Sequence, residues 1–204
     1  MKDIVASADG VHRCAWAHGN DVYEEYHDNE WGRPVHTDRG LFERISLEAF
    51  QSGLSWLVIL RKRPAFREAF AGFDIAKVAA FTEDDRARLL DNDGIVRNRA
   101  KIEATIMNAR ACVQMAERGE SLCDLLWSFA PPPGPAPRSF EDVPDRTDES
   151  TAMTAALKRR GFRFVGPTSC YALMQATGMV NDHIEGCDIR ERVTVADGSS
   201  PPAA

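Results

Sequence analysis

The sequence predicts an all-α fold. Apolar residues recur at helical spacing in one window after another, glycines and prolines fall between those windows, and strand signals are confined to one short run. Taking the elements in order, Asp38 caps a helix running through Leu41, Phe42, Ile45 and Leu47 toward Phe50. Ser52-Gly53 interrupts it, and Ser55 caps a second helix through Trp56, Leu57, Val58 and Leu60. Pro64 stands where that helix should stop or turn, because proline lacks the amide hydrogen and crowds the preceding turn. Further helices are expected over 65–70, 76–81, 84–90, 99–118 and 121–129, then over 147–160 and 169–179. The best strand signal, Phe162-Arg163-Phe164-Val165, is too short to build a sheet. Residues 131–137, Pro-Pro-Pro-Gly-Pro-Ala-Pro, form an extended connector.

The 204 residues, 44% of them hydrophobic, suffice for one substantial core. Residues 1–12 are expected to be a flexible N-terminus, 13–187 a single domain, and 188–204 a disordered tail. No apolar run approaches the roughly 18 residues of a membrane span. The opening segment carries Lys2 but no apolar stretch, which speaks against a secretory signal. Five scattered cysteines without a Cys-x-x-Cys pair fit a reducing cytoplasm and not a disulfide framework. The net charge of −6 argues against a nonspecific nucleic-acid coat. Base is nonetheless segregated into Arg61-Lys62-Arg63 with Arg67, into Arg97, Arg99 and Lys101, and into Lys158-Arg159-Arg160 with Arg163. Together these clusters suit a phosphate-facing surface; singly, each suits a solvated helix end.

Three constellations carry chemistry. Tyr26-His27-Asp28-Asn29-Glu30-Trp31-Gly32 is dense in rings, metal ligands and hydrogen-bonding groups and lacks amphipathic spacing, as in the wall of a site for a flat polar ligand or a capped turn with aromatic anchors. His183 and Cys187 are spaced to point the same way on a helix or tight turn and supply half of a tetrahedral metal shell. Cys14 and His27 are natural partners for them, with His18 and His36 as rivals. Cys112 and Cys170 fall in apolar helical runs and read as packed thiols. The string from Leu89 to Arg97 contains a tight turn with Gly94 before a basic helix start. That turn would offer backbone N–H groups to a phosphate, with Arg97, Arg99 and Lys101 adding charge, although any glycine-containing helix–helix turn gives a similar string. Finally, Leu41, Ile45, Glu48 and Ser52 share one helical face, so Glu48 points inward, toward either a ligand or an arginine partner, whereas Glu43 reads as surface.

The ordered set of Arg13-Cys14-Ala15-Trp16, the Tyr26–Gly32 segment, Leu47-Glu48 with Gln51-Ser52-Gly53-Leu54-Ser55-Trp56, Gly94-Ile95-Val96-Arg97, Leu126-Trp127-Ser128-Phe129, Arg160-Gly161-Phe162-Arg163-Phe164-Val165-Gly166 and Val180-Asn181-Asp182-His183 resembles the DNA-3-methyladenine glycosylase I family. The resemblance runs from about Val11 to Cys187. It implies a helix-hairpin-helix glycosylase fold, with the hairpin around 84–110 and a structural zinc ion clasping the terminal segments through Cys14, His27, His183 and Cys187. It also implies that Glu48 and Tyr26 hydrogen-bond a damaged adenine, that Trp56 stacks on it, and that Trp31 and Tyr23 complete an aromatic wall. The expected reaction is hydrolysis of the N-glycosidic bond of 3-methyladenine in alkylated double-stranded DNA, releasing the free base and leaving an abasic site. The enzyme is expected to be monofunctional, monomeric and cytoplasmic, with no membrane association. Asn98-Arg99-Ala100-Lys101 departs from the His and Gly usual around that arginine in the family. The rival readings are a non-enzymatic zinc-stapled DNA-binding protein and a zinc hydrolase acting on a small nucleoside.

Overall fold

The computed structural model describes residues 3–196, with side chains through Val193, so parts of both predicted flexible ends (1–2 and 197–204) lie outside the described residues. Ten α-helices dominate among them: α1 (Asp21–Asn29), α2 (Asp38–Gln51), α3 (Trp56–Ala69), α4 (Ile75–Ala79), α5 (Glu83–Asp91), α6 (Arg99–Glu117), α7 (Leu122–Trp127), α8 (Asp148–Arg159), α9 (Pro167–Ala176) and α10 (Asp188–Ala196). The chain divides into two compact units where the sequence reads as one domain: a terminal unit of 1–35, 130–145 and 174–204, and a central unit of 36–129 and 146–173.

The terminal unit corrects several expectations. Strand β1 (Ile4–Ala6), inside the segment expected to be flexible, pairs antiparallel with β2 (His12–Cys14), Ile4 opposite Cys14. Helix α1 was invisible to apolar periodicity because only Tyr26 and His27 are buried; Asn20 caps it, accepting from the Val22 and Tyr23 amides, and Asp21 and Glu24 favour its positive end. Helix α10 occupies the start of the expected disordered tail. Asp188 takes the His12 amide, and Ile189 and Val193 join a core with Cys14, Ile184 and Cys187. Residues 131–137 carry neither helix nor strand, as expected.

In the central unit, residues 162–165 form no strand, in keeping with a run too short to build a sheet. Thr37 and not Asp38 caps α2. Asp38 accepts instead from the Ser121 hydroxyl and the Cys123 amide at the start of α7. Helix α3 runs through Pro64 and absorbs the separate helix expected after it. Its one face buries Ile59 and Leu60 before the proline and Phe66 and Ala69 after it, and this packing outweighs one missing hydrogen bond. Between α3 and α4, Ala71, Gly72 and Phe73 all hold left-handed backbone, with φ between 52° and 65°. Phe73 is fully buried, stacking on Phe70 and meeting Phe42 edge-on, and Arg39 Nε donates to the Gly72 carbonyl.

Candidate functional site

Strand β2 delivers Cys14, the last turn of α1 delivers His27, and a tight turn closed by the Cys187 amide on the Ile184 carbonyl brings His183 and Cys187 to the same point. The donor atoms of all four lie within 4.8 Å of one another, and all four residues are buried. His183 Nδ1 is 3.1 Å from His27 Nε2, Cys187 Sγ is 3.6 Å from each of those nitrogens, and Cys14 Sγ is 4.0 Å from His183 Nδ1. His18, near Ser7, and His36, stacked on Trp127, are elsewhere. Of the possibilities left open by spacing, Cys14 and His27 complete the set.

The surroundings fix which ring nitrogen faces the cluster. His27 Nδ1 is 2.8 Å from Asp28 Oδ1, and His183 Nε2 is 3.2 Å from the Trp31 carbonyl. Carboxylates and carbonyls only accept, so those two nitrogens hold the protons, and the lone pairs of His27 Nε2 and His183 Nδ1 point inward. Asp28 is held in turn by Arg13, whose Nη2 donates to it at 2.7 Å while also bonding Asp9 at 2.8 Å. Burial pushes the Asp28 carboxyl up, but the bonds from Arg13 and His27 prevail and it stays below the usual carboxylate range. The hydrogen bond from Cys14 holds the Cys187 thiol well below its ordinary range, against burial and with help from His183 and His27; the same bond and burial push Cys14 up. Gly32 lies against this shell at φ 79°, and a Cβ there would meet His183 Nε2 at 3.2 Å. These donors form a set that can hold a metal ion.

Beside the cluster, Trp16 is the hub of the aromatic residues. Its ring lies 5.7 Å from Tyr23, 5.3 Å from His27 and 5.1 Å from Trp31. Sequence reading placed Tyr23 and Trp31 in an aromatic wall but gave Trp16 no role beyond its motif; its position two residues after Cys14 was the available signal. Tyr26, one position before His27, is buried.

In the central unit, Leu41, Ile45 and Glu48 are buried along one face of α2, as their spacing predicts, with Glu48 6% exposed. Burial pushes the Glu48 carboxyl up to about 8, partly opposed by the charge of Arg44 one turn earlier. Glu43 corrects the expectation of a surface residue: Arg63 Nε donates to it at 2.7 Å and Arg67 bonds it at 2.9 Å. With Lys62 donating to the Asp93 carbonyl, most of the first basic cluster is committed internally. Trp56 opens α3, and the turn between the two helices exposes Leu54 at 41%, next to Gly53 at φ 83°.

Helices α5 and α6 are joined by a turn in which Asn92 Oδ1 accepts from the Gly94 amide and Asn98 caps α6. Arg97 is exposed there, and Arg99 lies 3.9 and 3.8 Å from Glu83 and Glu103. Lys101 departs from its expected role as a phosphate contact. It is buried, and its ammonium donates to the Phe50 and Ser52 carbonyls at 2.9 and 2.6 Å, neutralising the negative end of α2.

A family model described as methyladenine glycosylase matches residues 16–191. This chain belongs to the methyladenine glycosylase family. It is 48% identical over 179 residues to DNA-3-methyladenine glycosylase 1 of Escherichia coli (strain K12), covering 87% of this chain and 96% of that one. Among solved structures of the methyladenine glycosylase family, a crystal structure of 3-methyladenine DNA glycosylase I superimposes with a TM-score of 0.84 at 49% identity, over 86% of this chain and 98% of that one. Two more at 33% identity, each over 87% of this chain and 97% of its own, carry single substitutions: a tyrosine-to-phenylalanine variant in complex with 3-methyladenine (TM-score 0.83) and a glutamate-to-glutamine variant from Staphylococcus aureus (0.82).

Proposed function

We propose that this protein is a monofunctional DNA glycosylase that hydrolyses the N-glycosidic bond of 3-methyladenine in alkylated duplex DNA, releasing the free base and leaving an abasic site. Membership of the methyladenine glycosylase family carries the proposal, and the buried carboxylate of Glu48 gives it chemistry. Methylation at N3 makes adenine cationic and already a good leaving group. The protein must extract the nucleotide, hold the base by its edge and faces, and favour the charged base over neutral adenine. Glu48 supplies that preference. Its carboxyl resists ionisation in the empty site, and an arriving cation removes the resistance, so a charge-assisted hydrogen bond forms for 3-methyladenine and not for adenine. Tyr26 donates to the base edge, Trp56 stacks on its face, and Trp31 and Tyr23 add aromatic surface; cation–π attraction of about 0.5–2 kcal/mol favours the same charge.

The Gly94 turn with Arg97 and Arg99 serves as a helix-hairpin-helix contact to phosphates, and Leu54, exposed two residues before Trp56, is placed to fill the gap left in the stack. Cys14, His27, His183 and Cys187 hold a structural zinc ion. An ideal tetrahedral zinc shell has edges of about 3.3 Å between nitrogens and about 3.6 Å between nitrogen and sulfur; the 3.1 Å between the two ring nitrogens and the 3.6 Å from Cys187 Sγ to each of them support that reading, and Cys14 Sγ, at 4.0 Å from His183 Nδ1, needs only a small inward shift. When bound, the ion ties the terminal segments together; four protein donors leave no position on it for substrate. The five cysteines form no disulfide, which suits an enzyme working in a reducing cytoplasm.

The test is chromatographic detection of bases released from methylated duplex DNA by wild type and Glu48→Gln. Release of 3-methyladenine without 7-methylguanine, with a large loss in the variant, is expected. No release by a folded, zinc-loaded protein would refute the assignment in favour of a DNA-binding protein without activity.

A further inference from the structure

The loop joining α8 to α9 has a construction that its own packing does not explain. Phe164 is the most exposed of the large hydrophobics among the described residues, at 45%, and it holds left-handed backbone at φ 54°. That conformation is unfavourable for a bulky side chain and persists only where neighbours enforce it. Asn108, buried on α6, does the enforcing: its side-chain amide accepts from the Arg163 N–H at 2.8 Å and donates to the Arg163 carbonyl at 3.1 Å. Two turns earlier on α6, Lys101 holds the Phe50 and Ser52 carbonyls. One helix thus anchors two loops at points about 10 Å apart along its axis, roughly three base steps. Each of those loops exposes one apolar side chain, Leu54 or Phe164.

The charge around the loop points to DNA as the occupant. Lys158, Arg159 and Arg163 are exposed around the loop and form no ion pair among the described residues. We propose that Phe164 is a DNA-contacting residue that packs against the bases exposed when a nucleotide is extracted, with Arg163 bonding a phosphate beside it. This rests on the reading of the chain as a glycosylase, and it adds a second apolar contact to that of Leu54.

The experiment uses the full chain and two variants. Phe164→Asn accepts left-handed backbone but has no ring; Phe164→Tyr keeps the ring. Fluorescence anisotropy measures binding to a duplex bearing a tetrahydrofuran abasic site, and tryptophan fluorescence measures binding of free 3-methyladenine. Phe164→Asn should bind the abasic duplex about tenfold more weakly, as expected for a lost stacking contact, with free-base affinity unchanged, while Phe164→Tyr binds both as wild type does. Wild-type duplex affinity in Phe164→Asn, or parallel losses for duplex and free base, would overturn the proposal. Failure of the wild-type protein to release 3-methyladenine would instead overturn the functional reading on which it rests.

Discussion

Replacing Glu48 by glutamine should make the fold more stable, and increasingly so as pH rises. The native carboxyl titrates at about 8 against an ordinary 4.5, raised by burial. Below pH 4.5 it is protonated in both folded and unfolded chains and contributes no difference. Between 4.5 and about 8 the unfolded chain ionises while the native one does not, so stability falls throughout this window and levels off above it. At about 1.4 kcal/mol per pH unit, the full loss approaches about 5 kcal/mol, of which about 4 kcal/mol falls between pH 5 and pH 9. That is a large part of the roughly 5–15 kcal/mol that holds a typical domain together. Glutamine keeps the shape and cannot ionise. Urea unfolding of both proteins at pH 5, 7 and 9, with zinc held constant, isolates the effect because every other group is shared. The variant should gain about 4 kcal/mol on the wild type across that range. Parallel stability curves would show that Glu48 is not held neutral by its surroundings and would remove the proposed basis for preferring a cationic base.

Chelation of the metal, or Cys187→Ser, should lower the melting temperature by more than about 10 °C in calorimetry, and zinc should restore it in the chelated wild type but not in the variant. Gly32→Ala should weaken zinc binding in a chelator competition, because the new methyl group needs left-handed backbone and presses on His183 Nε2. Lys101→Met should cost about 1–3 kcal/mol in urea unfolding, since the Phe50 and Ser52 carbonyls lose their charged donor, while the salt dependence of duplex binding stays as in wild type. Arg97→Ala should do the reverse, leaving stability unchanged and reducing the slope of log affinity against log salt by about one.

How far the sequence revealed the molecule depended on whether the deciding interaction was local. The inward direction of Glu48 was legible because Leu41 and Ile45 mark its face, and helical spacing is a property of neighbouring residues. His183 and Cys187 were legible as a pair for the same reason, whereas joining them to Cys14 and His27 from spacing alone left His18 and His36 open. Lys101 was misjudged because a lysine after a glycine turn looks the same whether it meets water, a phosphate or the end of another helix; its partners are about fifty residues away in the chain. Helix α3 crossing Pro64 and helix α10 following Cys187 were misjudged for a related reason: burial of Phe66 and of Ile189 depends on distant surfaces. The strand pair at 4–6 and 12–14 was missed because three-residue strands carry almost no periodicity.

The long-range character of the Cys/His cluster has a consequence for the chain as it is made. His27 and Cys187 are separated by 160 residues. At roughly 5–20 residues per second, the first two residues of the cluster wait about 8–30 s before the last one is joined to the chain. All of the central unit, ending at residue 173, is synthesised before His183 and Cys187. The half that carries Glu48 can therefore condense during translation, while the half that carries the cluster can close only near its end. Metal scarcity or thiol oxidation in the cell would act on this interval first, producing chains whose central half is built and whose terminal half is left open to proteolysis.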